Sequence, residues 1–221
     1  HHLETFASGP PSKAFGRPYR RFDRERFIAR LPRPPFLCID RIVRVEPEPW
    51  VLKPDGWVAA EYELLPEAWY FRANRCPALP LGILMEIALQ PCGWLAAYMG
   101  SALKSDKGLR FRNLGGEAEL HRALGPGDGV LTTRTRLTQV SEVEDMIIQH
   151  YEFQVSAGGQ PAYEGTTYFG FFTPRALSRQ DGLRQAMELL PGDGTGLRGH
   201  GAYVFEDVPP MYPEDLRTHQ E

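Results

Sequence analysis

The 221 residues carry 25 lysines and arginines against 28 aspartates and glutamates, a formal charge of −3 at neutral pH. Hydrophobic residues make up 42% and charged residues 24%, a globular balance that excludes a disordered chain and gives no electrostatic reason to expect nucleic acid. Three widely spaced cysteines, Cys38, Cys76 and Cys92, suggest neither a disulfide framework nor a zinc site, and fit a reducing cytoplasm. No metal site is expected.

The chain opens His1-His2-Leu3-Glu4, which reads as a tag remnant, and runs to residue 31 as a polar arm. Arg17, Arg20, Arg21, Arg24, Arg26 and Arg30 are interleaved with Asp23 and Glu25, the pattern of a solvated mixed-charge segment. Pro32, Pro34 and Pro35 then bar a helix. Phe36 to Val45 and Gly56 to Leu65 read as strands, rich in β-branched and apolar residues. Between Pro77 and Leu103 the only charge is Glu86, and Leu81 to Leu103 is the one convincing helix, with Pro91 expected to kink or divide it. Its mid-segment carboxylate, Gln90, Pro91, Gly93 and Gly100 argue for a buried helix of a folded domain and against membrane insertion.

Beyond Gly108 the period changes to two. Leu109–Leu124, Gly129–Val140, Asp145–Val155 and Gln160–Phe172 read as strands. Arginines lie on one face of 131–137 and Leu131, Thr133, Thr135 and Leu137 on the other. Gly125–Gly129 and Gly158-Gly159 mark turns. Pro174 to Gln180 reads as a short helix, residues 32–185 as the folded domain, and 186–221 as a Gly/Pro-rich linker. A helix apolar almost all round must be covered on most sides. One antiparallel sheet curled around one central helix does this: an α+β layer solution, the hotdog arrangement.

Glu86 is the first candidate for chemistry. A lone carboxylate on this helix is expected to be desolvated, either as a general acid or base at the mouth of an acyl pocket or as a structural group bonded to its neighbours. Gln90, one turn on, can position Glu86, hold a thioester carbonyl, or make a structural bond. Asn74 before the helix is a turn or cap type, and its amide cannot titrate. Leu81 and Gly82 offer the backbone N–H groups of a helix start. Gly115-Gly116 either lets a ligand approach or marks a bulge. His121 and His150 lie in strands with no pattern linking them to Glu86, and Cys92 reads as a buried inert thiol.

Residues 69–90, WYFRANRCPALPLGILMEIALQ, resemble the core motif of bacterial β-hydroxyacyl-carrier-protein dehydratases. Leu79-Pro80 is similar to the family's Met-Pro turn, Glu86 to its helix acid, Gln90 to the glutamine four residues later, and Asp40-Arg41 to the pair in its opening strand. The strings YFRANR, LMEIALQPCGWLAAYMGSAL, FRNLGG, MIIQHYEF and YEGTTYFGFF resemble the N-terminal hotdog of the dehydratase regions of polyunsaturated-fatty-acid and polyketide synthases, over roughly residues 18–185. The family histidine falls at Asn74, and Leu81 stands where the family has the glycine whose amide meets the thioester oxygen. The resemblance therefore implies a domain that supplies Glu86 to a composite site. The histidine would come from a second hotdog further along a parent chain. In isolation a homodimer is expected, since hotdogs bury a sheet edge by pairing. The resemblance implies a 3-hydroxyacyl substrate carried on the phosphopantetheine of acyl carrier protein, with no bound cofactor. A non-catalytic hotdog that holds acyl chains or completes a dimer, and a thioesterase using Glu86, Gln90 and Asn74, are the alternatives.

Overall fold

The structure is a computed structural model that describes residues 2–74, 77–143 and 146–178. Six antiparallel strands form one sheet: β1 (Arg41–Glu46), β2 (Trp57–Glu63), β3 (Arg110–Leu120), β4 (Val130–Val143), β5 (Met146–Ala157) and β6 (Gln160–Phe172), in the order β1-β2-β4-β5-β6-β3. The long helix α4 (Leu81–Tyr98) lies across β2, β4 and β5. This is the expected α+β hotdog, and the predicted strands lie within a few residues of the observed ones. The largest shift is at β1, because Phe36 and Cys38 are bonded to Gln90 of α4 instead of the sheet.

The alternation seen in the sequence selects the inner face. Leu131, Thr133, Thr135 and Leu137 of β4 and Tyr151, Phe153 and Val155 of β5 are buried, while Arg134 and Arg136 point outward. At burial of about 25 cal/mol per Å² of apolar surface, each such side chain contributes on the order of 2 kcal/mol. The core has two parts along α4. Ile83, Leu84, Ile87 and Ala88 meet Leu124, Leu131, Phe153, Val155 and Ala162. Further along, Leu95 and Met99 meet Val58, Ala60, Leu137 and Tyr151.

Pro91 does not divide α4, which runs unbroken from Leu81 to Tyr98. A proline removes one hydrogen bond, here the one the Ile87 carbonyl would accept. The Thr133 hydroxyl donates to that carbonyl instead, at 3.3 Å. The helix stops earlier than expected, because Gly100 adopts φ 86°, ψ 27° with the Trp50 backbone 3.1 Å from where a Cβ would sit, and residues Ser101–Lys104 continue as a 3-10 turn.

The arm differs most from expectation. It folds into α1 (His2–Ser8), α2 (Pro11–Phe15) and a 3-10 turn (Arg17–Phe22), and buries Leu3, Phe6, Phe15, Tyr19, Phe22, Ile28 and Leu31. Phe15 contacts Trp94 ring to ring at 6.0 Å, and the Tyr19 hydroxyl donates to the Ala97 carbonyl. Most of the charges are solvent-exposed as read, but the apolar residues between them pack, so the arm is not simply polar. The charges themselves act as staples: Asp23 accepts from the Ser12 N–H and hydroxyl at 2.9 and 2.7 Å, which hold its carboxyl below the usual range, and Arg26 donates to the Ser105 carbonyl at 2.6 Å. Leu3 and the His2 ring belong to this cluster, so the opening residues pack as part of the fold. A last short helix, α5 (Pro174–Ser178), follows β6. The expected linker, 186–221, lies outside the described residues.

Candidate functional site

The carboxyl-terminal half of α4 is covered on both sides, by sheet and by arm. Its first two turns are covered on one side only. Ile83, Leu84 and Ile87 face the core, whereas Leu81 (58% exposed), Gly82, Met85 (42%) and Glu86 face outward. The expectation that Glu86 is buried is therefore overturned for the single chain. The helix is apolar all round, but nothing among the described residues covers that stripe.

Gln90 decides where Glu86 stands. Its side chain is 5% exposed and its amide is fully employed. The Oε1 accepts from the Cys38 N–H at 2.8 Å, and the Nε2 donates to the Phe36 carbonyl at 2.7 Å and to Glu86 Oε2 at 2.9 Å. One buried amide thus pins the Phe36–Cys38 segment to α4 and fixes one oxygen of the carboxylate, which leaves Oε1 directed elsewhere. Of its three sequence readings, Gln90 takes the structural and positioning ones, and no donor remains for a thioester. Burial, reinforced by the charges of Glu86 and Asp40, pushes the Cys38 thiol up to about 12.

Asn74 caps α3 (Trp69–Ala73), its N–H donating to the Tyr70 carbonyl at 3.1 Å and its Nδ2 to the Ala78 carbonyl at 3.1 Å. It ties the loop ahead of α4 and holds no proton to exchange. Residues 69–73 form one short helical turn ahead of that loop. The Leu81 and Gly82 amides lie in the first turn of α4, where no intrahelical acceptor exists, behind Pro80, whose carbonyl takes the Ile83 and Leu84 N–H groups at 3.0 Å each. Gly115 and Gly116 sit at a bulge in the edge strand β3, away from α4. A Cβ on Gly116 would lie 2.3 Å from the Thr166 carbonyl oxygen, so the strand pairing accounts for the glycine.

The histidines stay apart from Glu86. His121 lies 3.0 Å from Glu164 and 3.6 Å from Glu119, and His150 stacks on Tyr168 at 5.3 Å. Cys92 is fully buried, and its thiol is pushed up to about 12 by desolvation, as expected of an inert group. Among the described residues, no cluster of His, Cys, Asp or Glu could hold a metal. Sequence reasoning missed the apolar frame. Phe36 (50% exposed) packs its ring against Trp69 (37%) at 5.3 Å, and its carbonyl is held by the same Gln90 that holds Glu86. Glu86 therefore stands in a partly apolar surface made by Phe36, Leu81 and Met85. An uncharged run flanking one acid was its only trace in the sequence.

A family model described as FabA-like domain matches residues 31–166. The chain belongs to that family. This FabA-like domain is also 29% identical over 199 residues to a subunit of the polyunsaturated fatty acid synthase of Thraustochytrium sp., a match covering 86% of this chain and 13% of that protein. The chain therefore spans about an eighth of that relative's length. Among solved structures it is similar in fold to a dehydratase heterocomplex, ApeI:P, from Xenorhabdus doucetiae, with a TM-score of 0.50 at 16% identity, over 66% of this chain and 90% of that one. A putative thioesterase from Ralstonia eutropha JMP134 has a TM-score of 0.41 at 14% identity, over 59% and 83% of the two chains. The family match and the sheet-on-helix geometry agree on a FabA-like hotdog.

Proposed function

We propose that this FabA-like hotdog supplies the acid of a composite dehydratase site for 3-hydroxyacyl thioesters of acyl carrier protein, within a polyunsaturated-fatty-acid or related synthase. The supporting observation is Glu86. A buried glutamine holds one of its oxygens, the other has no hydrogen bond among the described residues, and Leu81, Met85 and Phe36 offer exposed apolar surface on the same part of the fold. A second hotdog seated over Leu81 and Met85 would desolvate that carboxyl, which favours its protonated form. In the reaction a base on the second hotdog removes the proton α to the thioester carbonyl, the β-carbon–oxygen bond breaks, and the hydroxyl leaves as water with the proton of Glu86, giving the 2-enoyl thioester. Asn74, an amide already bonded to Ala78, cannot be that base.

The test is elimination of water from a 3-hydroxyacyl carrier substrate, followed by mass spectrometry, for this chain alone and joined to the segment that follows it in its parent. The expected result is no product alone, product when joined, and loss of product in Glu86→Gln. Product from the isolated chain contradicts the composite site. Product unchanged by Glu86→Gln identifies a non-catalytic hotdog, and steady release of free thiol that depends on Glu86 identifies a thioesterase.

A further inference from the structure

The arm carries a second place where charge is left unanswered. An open pocket of about 460 Å³ is walled by Phe22, Asp23, Arg24, Arg26, Phe27 and Arg30. The family match begins at residue 31, so these residues precede it. Tyr19 of the same arm is bonded to Ala97, eleven residues past Glu86 and so about 16 Å further along α4.

Three guanidiniums stand against one carboxylate in this wall, an excess of two positive charges. Asp23 is already engaged. Its oxygens accept from the Ser12 N–H and hydroxyl, and its charge acts on Arg20 and Arg30 together. Arg30 donates through Nη1 to the carbonyls of Phe6 and Gly9, at 3.0 and 2.6 Å, acceptors that carry no charge. Arg26 does the same through Nη2, to the carbonyls of Ser105 and Lys107 at 2.6 and 2.5 Å. The carboxylate of Asp106 beyond it is bonded to Arg21 at 3.2 Å.

Arg26 supplies the sharper observation. Its Nε and Nη1 are buried and meet no acceptor among the described residues, and its guanidinium lies over the Phe22 ring at 4.7 Å. Buried donors in folded proteins are almost always paired, and an unpaired charged one is costlier than a neutral one. Burial works against the charged form of both Arg26 and Arg30, and the neighbouring Arg21 adds to this at Arg26. An anion in the pocket relieves all of these at once. A phosphate group fits the excess, since it carries about −1.5 to −2 charge at neutral pH and its oxygens accept several charge-assisted hydrogen bonds. We propose that this pocket binds a phosphate-class oxyanion among Arg24, Arg26 and Arg30, and that the bound anion fastens the arm to the 105–107 loop. The site rests on the arm and stands apart from the chemistry at Glu86.

Titration of the full chain with inorganic phosphate, at an ionic strength held constant with chloride, tests it by calorimetry and thermal unfolding. The expected result is one saturable site per chain and a melting temperature that climbs with phosphate. At about 100 times its dissociation constant a ligand of the folded state raises the folding equilibrium about 100-fold. Arg24→Gln, at an exposed position, keeps the fold and weakens binding about 10-fold. Arg26→Gln abolishes the phosphate-dependent shift, and circular dichroism checks that it folds. If it does not, Arg24→Gln alone carries the test. Arg134→Gln removes an equal charge from the outer face of the sheet and leaves binding unchanged. Methyl phosphate separates the sources of the anion: binding equal to that of phosphate identifies the end of a phosphate ester, and binding of inorganic phosphate alone identifies the free ion. A rise in melting temperature no larger than chloride gives overturns the proposal. So does phosphate binding that Arg24→Gln leaves at full strength.

Discussion

Replacing Gln90 by methionine separates the two jobs at the site. Methionine has nearly the same volume, so little cavity forms. The loss is in hydrogen bonds. The buried Cys38 N–H loses its acceptor, the Phe36 carbonyl loses its donor, and Glu86 loses the contact at 2.9 Å. An unsatisfied buried backbone group costs about 1–3 kcal/mol. The Phe36 carbonyl, beside an exposed ring, regains water and costs less, so the sum is about 3 kcal/mol. For a domain of this size that lowers the melting temperature by about 6–12 °C. Glu86→Gln, at an exposed position, changes stability by no more than about 0.5 kcal/mol. Urea or thermal unfolding of the two variants measures both. Gln90→Met costing under about 1 kcal/mol, or Glu86→Gln costing as much as Gln90→Met, refutes the clamp.

Thr133→Val strips the donor from the Ile87 carbonyl and is expected to cost about 1–3 kcal/mol. In a Pro91→Ala background residue 91 regains its N–H, so the same change costs less than half as much in a double-mutant unfolding cycle, and equal costs contradict the compensation. Phe15→Ala, within the arm, is expected to cost about 3–5 kcal/mol by chemical denaturation, where a solvated arm would give no change. Burial keeps the Cys38 and Cys92 thiols protonated in the folded chain, each pushed up to about 12. The unfolded chain releases those protons near the ordinary thiol value, so stability is unaffected below it and falls as pH rises from about 9 toward 12. Urea midpoints across that range are expected to fall less in Cys38→Ala than in the unaltered chain.

Much of the fold was legible because period is a physical property of buried faces. The alternation in 131–137 and 151–155 reports which side chains enter the core, and the unbroken apolar run at 81–98 reports a helix covered by something. The sheet on one side was legible; the arm that covers its other side was not. Phe6, Phe15, Tyr19 and Phe22 lie among arginines whose charge pattern masks them, and only their approach to Trp94 and Ala97 in three dimensions reveals an apolar arm. Pro91 misled for a similar reason: its cost is met by Thr133, far away in sequence. At the site, the spacing of Glu86 and Gln90 foretold their hydrogen bond, since residues four apart on a helix are neighbours. The exposure of Glu86 was not foretold. A sequence shows that a helix face is apolar, but whether the covering surface belongs to the same chain depends on the whole assembly.

The central claim is that Glu86 gives its proton to a leaving hydroxyl once a second hotdog closes over the start of α4. The most direct measurement is the rate of water elimination from a 3-hydroxyacyl carrier substrate by this chain joined to the second hotdog proposed above, with and without Glu86→Gln. Catalysis that collapses in the variant while its folding stability is unchanged is the result expected. Catalysis that persists at full rate without the Glu86 carboxyl would contradict it.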